Sequence, residues 1–188
     1  MSGPGVHRQR EAGLSGRSAG SGALVGIGIA GFVDETVFHQ LLHWHHFYDK
    51  STPAAGLVSD GYFHAASWVA VVVGLFWYAD LRRRHALVAG RWWAGLLLAA
   101  GAFQLYDGTV QHKLLGLHQI RYEVNLAPYD WTWNIIAVLL IVAGLVLLRR
   151  RPAPTAEVPQ APTAGADATT GSTRSAGGRD GSGAAGAR

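Results

Sequence analysis

The chain has 188 residues, a formal net charge of +4 and no cysteine, with a sequence pI near 9.8. The absence of cysteine excludes disulfides, thiolate metal sites and c-type haem attachment. The basic balance does not point to nucleic acid, because the arginines gather beside apolar runs and form no binding stripe: Arg8, Arg10 and Arg17 precede the first run, Arg82, Arg83, Arg84 and Arg91 lie between the second and third, and Arg149, Arg150 and Arg151 follow the last.

Residues 1–21 are rich in Gly, Ser and Arg and read as a disordered cytoplasmic tail, too poor in apolar side chains to offset the entropy of ordering. They contain no short apolar core followed by a small-residue cleavage site, so the first apolar run is expected to act as an uncleaved anchor. That run, about Gly22 to Trp44, is the first of four stretches apolar enough to cross a bilayer, which takes about 20 residues of helix. The second runs from about Tyr62 to Ala79, the third from about Trp92 to Leu114 and the fourth from about Trp131 to Leu148. Residues 151–188 return to Pro, Ala, Gly, Ser and Thr and read as a second disordered tail. The expected fold is all-α: a polytopic membrane protein whose residues 22–150 form a four-helix transmembrane bundle. The three arginine clusters place both termini in the cytoplasm.

The first and third spans carry related polar segments. Residues 34–46 read D-E-T-V-F-H-Q-L-L-H-W-H-H and residues 107–119 read D-G-T-V-Q-H-K-L-L-G-L-H-Q, with seven of 13 positions identical at a constant offset of 73. Asp34/Asp107, His39/His112 and His45/His118 are in register. Apolar residues coincide by chance between membrane helices; an acid and two histidines do not. Both copies run from inside to outside, so the repeat is expected to be parallel, two helical hairpins related by an axis along the membrane normal. The returning helices match more weakly, with Asp60-x-x-x-His64 against Asp130-x-x-x-Asn134.

Ionisable residues inside a membrane are expensive and functional by default. Imidazole and carboxylate together suit copper, iron or zinc. The expected metal ligands are His39, His45, His64, His112, His118, Asp34 and Asp107, near the outer face, with the two acids as ligands or as partners that orient the rings. His39 and His43, four apart, could chelate one ion, and Glu35 shares their stripe. Against this stand the plainer roles: a lone membrane histidine is ordinarily a hydrogen-bonded packing residue, and Lys113 is a snorkelling side chain. One geometric objection stands. Asp34 and His39 are five apart, roughly 140° around an ideal α-helix, and cannot both face one ion unless the helix departs from that form. The run Gly26-x-Gly28-x-Ala30-Gly31 marks close helix packing and is no dinucleotide fingerprint, since no strand precedes it.

These three His-bearing signatures, G-F-V-D-E-T-V-F-H-Q-L-L-H-W-H-H, D-G-Y-F-H-A-A-S-W and Y-D-G-T-V-Q-H-K-L-L-G-L-H-Q-I-R, resemble the prokaryotic membrane-protein family known as domain of unknown function 2243. The resemblance covers about residues 22–150. It implies a four-span protein of the cytoplasmic membrane and supplies no activity. The matching residues are Asp34, His39, His45, His46, Asp60, His64, Asp107, His112 and His118; Glu35 departs from the small residue expected there.

Three functional readings remain open from sequence. The first is a transition-metal site used in metal handling or redox chemistry, whether in an enzyme, a delivery factor or a sensor. The second is a haem b protein with His39 and His112 as axial ligands. The third is a proton or ion pathway, or an assembly factor without catalysis. The expected partners are the lipid bilayer and either a second copy of the chain or a membrane redox or assembly partner; nucleic acid is not one of them.

Overall fold

The computed structural model describes residues 4–150; the expected C-terminal tail lies outside them. Among these residues the protein is all-helical, with no strand. Helix α1 spans Pro4–Asp34 and runs into a π-helical segment, Glu35–Leu41. Helix α2 spans Pro53–Arg83. Helix α3 spans Ala89–Tyr106 and also ends in a π-helical segment, Asp107–Leu114. Helix α4 spans Ala127–Arg149.

Local signals set these boundaries. Thr52 caps α2, its hydroxyl accepting from the Ala55 amide at 3.3 Å, and Pro53 opens the helix where no amide is needed. Asp80, Arg83 and Arg84 pair on the last turn of α2, and a short link leads to α3. The Asn125 side chain accepts from the Ala127 amide at the start of α4.

Residues 4–21 correct the sequence expectation: they are the first turns of α1, and not a structureless tail. Their small side chains are what the fold needs there. Ser18 and Ser21 are fully buried, with the Ser18 hydroxyl accepting from the Val88 amide and the Ser21 hydroxyl donating to the Gly74 carbonyl at 2.9 Å. A Gly/Ala/Ser composition that reads as disorder also permits backbone-to-backbone packing.

Helix α1 packs along α3, while α2 lies against α1 and α4 against α3. A Cβ on Gly22 would sit 2.0 Å from the Trp92 carbonyl oxygen, and one on Gly95 would sit 2.1 Å from the Ala19 carbonyl oxygen. These are the same contact seen from opposite helices, since Gly22/Gly95 and Ala19/Trp92 both stand at the offset of 73. The outer packings correspond too. A Cβ on Gly28 would lie 2.8 Å from the Ser67 carbonyl of α2, and one on Gly101 would lie 2.7 Å from the Ala137 carbonyl of α4. Likewise Gly74 meets the Val25 amide and Gly144 the Leu98 amide.

The molecule is apolar outside and polar within. Val69, Val73 and Phe76 of α2 and Leu139, Val142 and Val146 of α4 are exposed, whereas Asp34, Glu35, His39, Asp60, Asp107, His112 and His118 are buried. That is the distribution expected when lipid, and not water, is the solvent. Among the described residues three stretches are long and apolar enough to cross a membrane: Gln9–Leu41, Pro53–Arg83 and Ala127–Arg149. The third of the four spans expected from sequence falls on α3, which does not reach the same apolarity. It carries Arg91 and Gln104, and it lies between α1 and α4, where less of its surface faces outward.

Candidate metal centre

The duplicated acid stands at each junction of α- and π-helix, Asp34 as the last residue of α1 and Asp107 as the first of the second π-helical segment, and both segments carry the duplicated histidine. In a π-helix the amide bonds five residues back, so each turn holds more residues than an α-turn. Residues five apart then come round to nearly the same side. This removes the geometric objection raised by the sequence: His39 Nε2 lies 3.8 Å from Asp34 Oδ2, and His112 Nε2 lies 3.1 Å from Asp107 Oδ2. The segments close alike, with Leu42 N donating to Val37 O and Leu115 N to Val110 O. Trp44 N donates to Phe38 O and Leu117 N to Gln111 O, which turns the chain so that His45 and His118 fold back over the helix ends.

Four imidazoles meet there. Ring centroids are 4.5 Å apart for His39 and His45, 4.6 Å for His45 and His118, 4.6 Å for His112 and His118, and 6.1 Å for His39 and His118. All four residues are at most 5% exposed. His45 and His118 stack with their planes 6° apart, and each is held by the other half of the chain. His45 Nδ1 lies 3.0 Å from the Ile120 carbonyl and His118 Nδ1 lies 3.0 Å from the Phe47 carbonyl. A carbonyl only accepts, so each Nδ1 carries the proton and each Nε2 presents a lone pair. Burial, reinforced by the neighbouring imidazoles, pushes the His45 ring well below the ordinary histidine range and keeps it neutral.

His39 is oriented by carboxylates. Its Nδ1 lies 2.7 Å from Glu35 Oε2 and 3.2 Å from Asp60 Oδ1, which leaves Nε2 to face Asp34 and the other rings. A carboxylate behind an imidazole is the usual arrangement around a metal-bound histidine. The Nε2 atoms of His39, His45, His112 and His118 are all buried without a hydrogen-bond partner, as are Asp34 Oδ1 and Asp107 Oδ2. Donor atoms of Asp34, His39 and His45 lie within 4.8 Å of one another, and so do those of His45, His112 and His118.

Of the seven residues expected to ligate a metal, the structure brings six together: Asp34, His39, His45, Asp107, His112 and His118. It does not bring His64, whose ring packs against Phe32 at 5.3 Å and belongs to none of the groups whose donor atoms converge. His43 is exposed and holds a positive φ of 51°, so it does not extend the His39 stripe. Lys113 does not snorkel alone but pairs with Asp130 at 2.7 Å.

Asp60, matched to the family signature in the sequence, was not among the expected ligands. It accepts from the Phe47 amide at 2.7 Å, lies 2.6 Å from His46 Nδ1 and supports His39. The signal was present in the match of Asp60-x-x-x-His64 to Asp130-x-x-x-Asn134. It drew attention to the histidine when the acid was the member that faces the cluster.

The comparison with known families agrees with a membrane setting. A family model described as "Predicted membrane protein (DUF2243)" matches residues 21–151. The chain belongs to this family. Neither a curated protein nor a solved structure matches the chain. The family is one of predicted membrane proteins without an assigned activity, so the chemistry has to be argued from the side chains.

Proposed function

We propose that the protein is an integral protein of a prokaryotic cytoplasmic membrane. It binds a transition-metal ion, copper, iron or zinc, between His39, His45, His112 and His118, with Asp34 and Asp107 as further ligands or orienting acids. The observation that carries this is a cluster of four buried imidazoles whose Nε2 atoms have no hydrogen-bond partner. An unpartnered polar atom in a membrane interior costs several kcal/mol, and a bound cation removes that cost at all four at once. The close packing of the rings favours a small ion over haem, because His45 and His118 fill the space beside His39 and His112 where a porphyrin would have to enter.

The reading extends to architecture. The constant offset of 73 in sequence, the paired π-helical segments and the interchanged glycine contacts support two parallel hairpins about an axis along the membrane normal. On this arrangement α3 is the fourth span, flanked by neighbours, and the arginine clusters place both termini in the cytoplasm with the metal site towards the outside.

The test is metal content. Purified in detergent and reconstituted with zinc, iron or copper salts, the protein should hold ion that survives desalting. The double substitution His45→Ala/His118→Ala should lower affinity by at least ~100-fold while leaving helical content unchanged. A wild-type protein that retains no ion, or a double variant that binds as well as wild type, would remove the proposal; a Soret band in the purified protein would replace it with the haem reading.

A further inference from the structure

The two halves of the site differ in charge. In the second half, Asp130 is neutralised by Lys113 at 2.7 Å, and the position of Glu35 is taken by Gly108. In the first half, Glu35 and Asp60 are buried on either side of one imidazole nitrogen, 2.7 and 3.2 Å from His39 Nδ1. With Asp34 and Asp107 they make four buried carboxylates whose ionic partners within 4.0 Å, among the described residues, are histidines alone. Buried charges are held in proteins by pairing or by coordinating a metal.

We infer that the protein holds a second divalent transition-metal ion between Glu35, Asp60 and His39 Nδ1, with the His39 ring bridging the two ions. The inference rests on the metal reading of the four-histidine cluster and extends it. The donor atoms of Glu35, His39 and Asp60 lie within 4.8 Å of one another. Ligands around an ion with bonds near ~2.0–2.2 Å stand about 3 Å apart, close to the separations seen here. His39 belongs both to this group and to the group of Asp34 and His45, with Nδ1 facing one and Nε2 the other. When the second ion binds, Nδ1 releases its proton to solvent and the ring becomes a bridging imidazolate. His46 holds the far oxygen of Asp60 at 2.6 Å, and its ring rests on Gly56, where a Cβ would meet it at 2.7 Å. The His46 side chain is 27% exposed, and His46 lines a cavity of about 370 Å³ with His43, His45, Asp49 and Tyr122. The cavity thus borders His46, which holds Asp60, and His45, which packs on His39.

The experiment is stoichiometry by elemental analysis of the whole detergent-purified chain, stripped by chelator and reloaded with zinc ion alone, then repeated with cobalt(II) as a spectroscopic probe. The expected result is two ions per wild-type chain. Glu35→Gln and Asp60→Asn, each nearly isosteric, should each leave one ion and a cobalt spectrum of the four-histidine site. Asp130→Asn, in the other half, should leave two. One ion in the wild type, unchanged in Glu35→Gln and Asp60→Asn, overturns the second site and leaves the first standing. No ion in any form overturns both. If one of the two acid variants is recovered without native helical content, the other decides.

Discussion

The α1–α2 half and the α3–α4 half repeat a set of residues and turn hydrogen bonds at the offset of 73 but differ in their charges. Each has an acid at the junction of α- and π-helix, a histidine five residues on, and a second histidine that folds back onto a carbonyl of the opposite half. Around that common frame the first half places Glu35, Asp60 and His46, and the second places Gly108, Lys113 and Asp130. The shared features are those that close the helix pair and bring four imidazoles together. The differing features set how much negative charge lies behind those rings.

The largest expected effect tests the frame itself. Gly22→Val and Gly95→Val should damage the protein equally, because each forces a side chain into a carbonyl of the facing helix. Overpacking typically costs about 1–3 kcal/mol, and backbone cannot yield as a side chain can, so the upper end or beyond is expected. Thermal unfolding in detergent should show a similar large drop for both variants, with loss of bound metal. A clear inequality between them would mean that the α1–α3 contact is not the shared hinge of the two halves.

A smaller effect tests why the halves diverged at one position. A Cβ on Gly108 would meet Trp133 Cδ1 at 2.6 Å and Asn134 Oδ1 at 3.0 Å. In the first half the corresponding residues are Phe63 and His64, and Glu35 fits. Gly108→Glu should therefore destabilise by about 1–3 kcal/mol, and Trp133→Phe in the same chain should recover much of that loss. The measurement is a double-mutant cycle on thermal stability. Additive effects would show that the indole is not what keeps an acid out of the second half.

Much of the frame was legible in sequence, for stated reasons. The offset of 73 picked out Asp34/Asp107, His39/His112 and His45/His118, since ionisable residues recur in register in membrane segments only under constraint. The arginine-flanked apolar runs gave the helices. Three features escaped. The π-helical segments were hidden because side-chain facing was reckoned at the α-helical period, which sets residues five apart on different sides. The start of α1 at Pro4 was hidden because Gly, Ala and Ser serve both close packing and disorder, and composition does not separate the two. The role of Asp60 depends on a contact with the Phe47 amide, 13 residues away across a loop whose path no local pattern encodes.

The smallest expected effect concerns one backbone position where the halves differ without charge. His43 has φ of 51° and its counterpart Gly116 has φ of 56°, so both halves require a left-handed residue just after the π-helical segment. Only Gly adopts that region without a steric penalty from Cβ, and other residues pay about 1–2 kcal/mol. Part of that gain is offset by the greater freedom of Gly in the unfolded chain. His43→Gly should thus raise stability by about 0.5–1 kcal/mol, and Gly116→His should lower it by a similar amount. Both are read as opposite shifts in thermal midpoint. Because the His43 side chain is exposed and lies outside the converging donor groups, metal content should not change in either variant. Loss of metal on His43→Gly would instead give this imidazole a part in passing ions through the cavity it lines, and the left-handed backbone would then be strain accepted for that purpose.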